Sequence, residues 1–263
     1  MSARLIALRA ILLREALRFT QQRSRFIAAL VRPLVWLFVF AAGFRAALGL
    51  SITPPYQTYI TYETYILPGL CGMICLFNGM QSSLSLVYDR EMGAMRLLLT
   101  SPLPRWWLLF AKLIAGAVVA VLQCVAFLGI AAIYGIRLPL VGYLAILPAI
   151  LIAALMLGAL GLLLSSRIRQ LENFAGVMNF VIFPVFFLSS ALYPLWKMRE
   201  AGPLLADLCA LNPFTQAVEL IRFAAYGQAN LPALGWTVLA FVLFAALGVR
   251  GYDPGRGLTK SKG

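Results

Sequence analysis

The apolar residues of this chain are gathered into stretches of about twenty, and that grouping leaves few folds open. A helix rises about 1.5 Å per residue, so roughly twenty residues cross a hydrocarbon core about 30 Å thick. Such stretches cover residues 26–48, 65–87, 107–134, 140–164, 174–193 and 231–249. In lipid the backbone must satisfy its own hydrogen bonds, which a helix does within one segment. The expected fold is an all-α membrane protein with six transmembrane helices. Composition agrees, with 62% hydrophobic and only 12% charged residues, against roughly 25% charged in soluble domains.

The net charge of +13 lies between the apolar stretches rather than on one basic face, which argues against nucleic acid as a partner and for membrane lipids. With the N-terminus placed inside, the inner segments hold fifteen of the 22 Lys and Arg: Arg4, Arg9, Arg14, Arg18, Arg23, Arg25, Arg90, Arg96, Arg105, Arg167, Arg169, Arg250, Arg256, Lys260 and Lys262. The outer segments hold Arg45, Arg137, Lys197, Arg199 and Arg222, so both termini are expected in the cytoplasm. Residues 1–25 read as a cytoplasmic amphipathic interfacial helix. Its polar side carries Arg4, Arg14, Arg18 and Arg25, and its apolar side Leu5, Leu8, Leu12 and Phe19. Arg9 and Arg14 interrupt any signal-peptide core. Residues 26–250 form one six-span domain, and residues 251–263 a cytoplasmic tail.

Residues 194–230 are apolar but carry Lys197, Arg199, Glu200, Asp207, Glu219 and Arg222, and Pro194, Pro203 and Pro213 divide them. Each charge at a span centre costs about 2.5–3.5 kcal/mol. The expectation is an outer re-entrant hairpin before the last span, covered by protein.

Little here carries chemistry. The chain has no histidine, and Cys71, Cys75, Cys124 and Cys209 form neither a metal-ligand spacing nor a disulfide framework. Glu63, Glu172 and Glu219 fall at span edges, which removes proton coupling through mid-membrane carboxylates. No phosphate-binding loop with the Gly-x-x-x-x-Gly-Lys-Ser/Thr pattern occurs, so nucleotide energy would have to come from another polypeptide. Arg32, next to Pro33 in the first span, is expected to snorkel to the inner interface. Trp36, Phe40, Phe180, Phe183 and Phe187 are candidate walls of an apolar path, with Phe180, Phe183 and Phe187 on one helical face. Tyr56, Tyr59, Tyr62 and Tyr65, spaced by three, read as an interfacial belt or as a gate. Gly158 and Gly161, with Ala154, favour close helix packing.

The most informative stretch is the inner loop 88–105. It opens with Asp89, Arg90 and Glu91, bends at Gly93, continues through Arg96, Leu97 and Leu98, and stops at Pro102 and Pro104. A short helix lying along the membrane there could act as a ball for a socket on another protein. The order charge-Arg-Glu-x-Gly, Leu-Leu, Pro-Leu resembles the first cytoplasmic loop of the ABC type-two exporter permeases. Tyr65-Ile66-Leu67-Pro68-Gly69-Leu70 resembles the start of that family's second span. Asn212-Pro213-Phe214-Thr215 with Glu219 and Arg222 resembles its segment before the last span, and Arg32-Pro33-Leu34 fits its first. These anchors cover roughly residues 20–250.

The resemblance implies a permease subunit of an ATP-driven exporter in a bacterial plasma membrane, not an enzyme itself. ATP and Mg would be bound by two copies of a cytoplasmic ATPase subunit, with no cofactor in this chain. A second permease copy or a paralogue would complete the assembly. The coupling helix would lie at about residues 91–99, with Arg167, Arg169 and Glu172 as a second ATPase contact and Asn212, Pro213, Glu219 and Arg222 in the outer hairpin. The implied cargo is an amphipathic or lipid-linked drug, glycan or lipid. Ala94 and Arg96 depart from the hydroxyl and acidic residues frequent in the family. A membrane scaffold without transport, or a membrane-embedded enzyme, are the other readings of the same spans.

Overall fold

Four helices are long and apolar enough to cross a bilayer among the residues described by the computed structural model, which are 9–13, 17, 23–40, 43, 54–56, 60–92, 104–168 and 170–252. They are α2 (Tyr62–Glu91), α3 (Arg105–Ile133), α4 (Leu140–Arg167) and α9 (Leu231–Gly251). At 1.5 Å per residue the 30-residue α2 is about 45 Å long, so its ends pass beyond the hydrocarbon into the headgroup layers. Two further apolar helices are shorter: α1 (Arg23–Val35) and α5 (Leu171–Phe187). Between α5 and α9 stand α6 (Leu195–Ala201), α7 (Pro203–Leu211) and α8 (Pro213–Ala224). The fold is all-α and membrane-embedded, with a hairpin before the last span in which α7 and α8 meet at 76°. The expected amphipathic helix falls mostly, and the tail from residue 253 wholly, outside the described residues.

Helix boundaries follow local chemistry. Proline at the first turn costs no intrahelical bond, and Pro203, Pro213 and Pro232 all sit there. In α1, Pro33 lacks an N–H and crowds the preceding turn, and the chain widens directly afterwards into a π-helical turn, Trp36–Phe40. The fifth apolar stretch was expected to stay helical to residue 193, but α5 ends at Phe187. The reason is distant in sequence: Asn212 donates its amide to the carbonyls of Val185 at 2.7 Å and Leu188 at 2.6 Å. The orphan carbonyls of a helix end are thereby satisfied, and the helix can stop inside the protein.

The core sits around α2. Ile66, Leu70, Leu76 and Met80 of α2 are fully buried with Ile146 and Ile150 of α4, Phe127 of α3 and Phe214 of α8. Cys71, Cys75 and Cys124 are small buried side chains, and Cys124 donates Sγ to the Cys71 carbonyl at 3.6 Å. Helices in lipid associate by close packing rather than by the hydrophobic effect, and small residues permit it. A Cβ on Gly79 would stand 2.9 Å from backbone atoms of Leu157 and Gly158, and one on Gly161 would stand 2.9 Å from the Gly79 carbonyl. The α2–α4 seam is therefore backbone against backbone. Gly79→Ala is expected to destabilise the detergent-purified chain by about 1–3 kcal/mol through overpacking. Gly129→Ala, where a Cβ meets nothing within 4 Å, should leave the unfolding midpoint unchanged. Equal midpoints for the two variants would show that the seam can open at no cost.

Candidate functional site

The end of the bundle formed by the C-termini of α2, α4 and α9 and the N-terminus of α3 is tied together by two basic side chains. Asp89, expected in a loop, lies in the last turn of α2, is buried, and accepts from Lys112 Nζ of α3 at 2.6 Å. Helix α2 thus runs on to Glu91, and the loop begins later than its charges indicate. Arg90 reaches in the other direction. Its Nη2 donates to the Ser165 carbonyl at 2.8 Å and its Nη1 to the Ile168 carbonyl at 3.3 Å. These carbonyls belong to the unsatisfied C-terminal turn of α4, whose dipole favours a cation. The same guanidinium lies 4.4 Å from the ring centroid of Tyr252, at the end of α9. One arginine at the mouth of the loop therefore holds α2, α4 and α9, and its neighbour holds α3.

Glu91, Arg167 and Glu172 are exposed at this end, as is Met92. Gly93, Arg96, Leu97, Leu98, Pro102 and Arg169 lie outside the described residues, and with them most of the expected coupling helix. Nothing in the loop sequence singles out Lys112, Ser165 or Tyr252. The one signal is Lys112 itself, a lone cation inside an apolar stretch, which needs a partner at that depth.

At the opposite end the hairpin is locked by a buried polar cluster. Glu219 of α8 accepts from Arg222 Nη1 and from Ser190 Oγ, the latter at 2.6 Å. Arg222 Nη2 donates to the Ser190 carbonyl at 2.7 Å, and Tyr65 of α2 donates its hydroxyl to the same oxygen at 3.1 Å. The guanidinium stands 4.1 Å over the Tyr65 ring. Asn212 completes the arrangement, since its Oδ1 accepts from the Phe214 amide and caps α8 at Pro213. The four residues expected in the hairpin thus do two jobs. Asn212 and Pro213 set two helix ends, while Glu219 and Arg222 fasten residues 189–192 to α2. Ser190, which carries no motif of its own, and Thr215, the last residue of the Asn212-Pro213-Phe214-Thr215 anchor, complete this cluster, with Thr215 Oγ1 accepting from the Ser190 amide at 3.3 Å.

The aromatic candidates divide. Phe180, Phe183 and Phe187 are exposed along one face of α5, with Phe183 and Phe187 stacked at 6.2 Å. Trp36 packs edge-on against Phe186 at 5.9 Å and Phe187 at 6.0 Å. Tyr62, by contrast, is buried with Tyr56 and Tyr65. Those three rings serve the packing of the hairpin end and offer no open face. Phe40 ends the π-helical turn, and Tyr59 is outside the described residues. Among the described residues no three His, Cys, Asp or Glu side chains are grouped to hold a metal.

Comparison with known proteins places this architecture. Residues 6–226 match the family model described as ABC-2 type transporter. The chain is 27% identical over 220 residues to a putative transport permease, ycf38, of Porphyra purpurea, covering 81% of this chain and 72% of that protein. It is 30% identical over 202 residues to the probable multidrug ABC transporter permease YbhR of Escherichia coli (strain K12), covering 75% of this chain and 53% of that protein. A ycf38 protein of Cyanophora paradoxa is 29% identical over 206 residues, with 75% of this chain and 66% of that protein covered. Long apolar helices, a hairpin before the last span and a match that runs through both make the chain a membrane-embedded permease belonging to the ABC-2 type transporter family.

Proposed function

We propose that the chain is the transmembrane subunit of an ATP-driven exporter, with six spans, both termini at the cytoplasmic face and a separate ATPase as its motor. The observation that carries the reading is the Arg90 tie. A loop that received force from a motor would need to pass it to several helices at once, and the residue at the loop's mouth bonds the ends of α4 and α9 while Asp89 bonds α3. The basic end would face the cytoplasm, as the Lys and Arg excess favours. Exposed Glu91, Arg167 and Glu172 then stand where an ATPase surface would dock, with the loop through Gly93, Arg96, Leu97, Leu98 and Pro102 as the coupling helix and Arg169 beside it. Two copies of the ATPase would serve two permease chains, the second a copy or a paralogue. The exposed rings of α5, with Trp36, supply an apolar wall for amphipathic or lipid-linked cargo moving outward. The similarity to a probable multidrug permease supports that cargo class.

Mild-detergent capture of the tagged chain from its native membrane tests the reading. A near-equimolar subunit carrying a nucleotide phosphate-binding loop is the expected result. A folded chain that repeatedly comes down with no ATPase would remove ATP from its function.

A further inference from the structure

The half of α2 nearer the Arg90 end carries a polar stripe at membrane depth. Asn78, Gln81, Ser82 and Ser85 are spaced three, four and seven residues apart, which sets them on one helical face, and all four are half-buried. Polar groups within spans turn inward or line a hydrated cavity, because lipid cannot satisfy them. On one side of the stripe stands α3, where Asn78 Nδ2 donates to Gln123 Oε1 at 2.9 Å. There a Cβ on Gly116 would come within 3.1 Å of Ser82 Oγ. On the other side stands α1. Its Arg32 is exposed, and the guanidinium carbon lies 3.6 Å from the centroid of the Phe77 ring. Phe77 is one turn before Gln81 on the same face.

The Arg32 guanidinium is thus placed over Phe77, in the middle of α2. Phe77 lies ten residues before Val87, about 15 Å along the helix. At that depth a fixed cation normally has a carboxylate beside it. Among the described residues Arg32 makes no ion pair. Of the two acidic side chains in this half of α2, Asp89 is taken by Lys112 and Glu91 is exposed at the helix end. Gln81 likewise makes no hydrogen bond among the described residues. Among the described residues, the groove between α1 and α3 thus offers one cation without an ion pair, two amides and a hydroxyl beside an aromatic ring, and no carboxylate.

We infer that this groove binds the anionic head, a phosphate or carboxylate, of an amphiphilic cargo whose tails remain in lipid. Arg32 supplies the charge, Asn78, Gln81 and Ser82 supply hydrogen bonds, and Gln123 holds Asn78 in place. A guanidinium matches either oxyanion with paired donors, and such bonds strengthen where water is scarce. That the bound amphiphile is cargo rests on the transport reading above. The binding itself concerns this chain alone.

The test uses the full chain in phosphatidylcholine nanodiscs without any ATPase. The probes are a chain-labelled phosphatidate and the neutral diacylglycerol with the same chains. Wild type should bind the phosphatidate saturably and at least about tenfold more tightly than the neutral probe. Arg32→Gln should abolish that preference and Gln81→Leu should reduce it severalfold, with wild-type helix content and elution volume in detergent reporting an intact fold. Arg32→Lys should retain most of it. A wild-type chain with no preference, a preference that survives Arg32→Gln, or non-saturating uptake typical of surrounding lipid would each overturn the inference. Loss of the inference would leave the ATPase reading untouched, and failure to capture an ATPase would leave the binding result standing.

Discussion

Glu219→Ala is expected to destabilise the purified chain by about 3 kcal/mol, the lower end for breaking a buried ion pair, since Glu219 keeps 19% of its side-chain surface. The loss comes from what remains. Arg222, with 3% of its side chain exposed, would keep its charge with only a carbonyl and a ring as partners. Ser190 would lose the acceptor for its hydroxyl. The expected result is a thermal midpoint in detergent lowered by several degrees, with proteolytic access to residues 189–230. The double variant Glu219→Leu, Arg222→Met should recover most of the loss, because two matched apolar groups leave no orphan charge. If the single variant is as stable as wild type, or the double variant merely sums the two single losses, the pair does not hold the hairpin.

Arg90→Ala carries the second large effect, and it falls on work as well as on stability. The variant removes two charge-assisted bonds to α4 and the contact with Tyr252. Each such bond contributes about 1.5–3 kcal/mol when intact. On the ATPase reading proposed above, substrate moved per ATP hydrolysed in the reconstituted complex should fall at least tenfold while the complex stays assembled. Arg90→Lys should not restore the ratio, since one ammonium cannot span the carbonyls of both Ser165 and Ile168 as the guanidinium fork does. An unchanged ratio in Arg90→Ala would mean that force enters the bundle elsewhere.

Much of this was legible in the sequence because spans are a matter of length and composition. The stretches 65–87, 140–164 and 231–249 lie within long helices, 107–134 does so up to Ile133, and Pro194, Pro203 and Pro213 did mark the breaks of the hairpin. The misreadings have one physical cause, which is that partners far apart in sequence leave no local trace. Asp89 looks like a loop residue until Lys112 stands beside it. The end of α5 is decided by Asn212, more than twenty residues on. Tyr62 fits a belt by spacing, yet it is buried with Tyr56 and Tyr65. The stripe from Asn78 to Ser85 disappears when hydropathy is averaged over a span, because its opposite face is apolar apart from Ser83. A reading by helical face rather than by window finds it.

The glycine contacts have a mechanical corollary. Gly79 and Gly161 interlock α2 with α4, Gly248 sets α9 against Leu162 and Leu163, and Gly72 seats α2 against Phe214 and Val218 of α8. Surfaces joined at such short distances mesh like gear teeth and resist sliding, most of all the α2–α4 seam, where backbone meets backbone. The π-helical turn after α1 meets α5 through the rings of Trp36, Phe186 and Phe187, and Phe186 also meets Phe214 of α8. Ring faces can roll over one another without first separating two backbones. Sliding of α5 past the turn after α1 would therefore part fewer backbone contacts than sliding of α2 past α4.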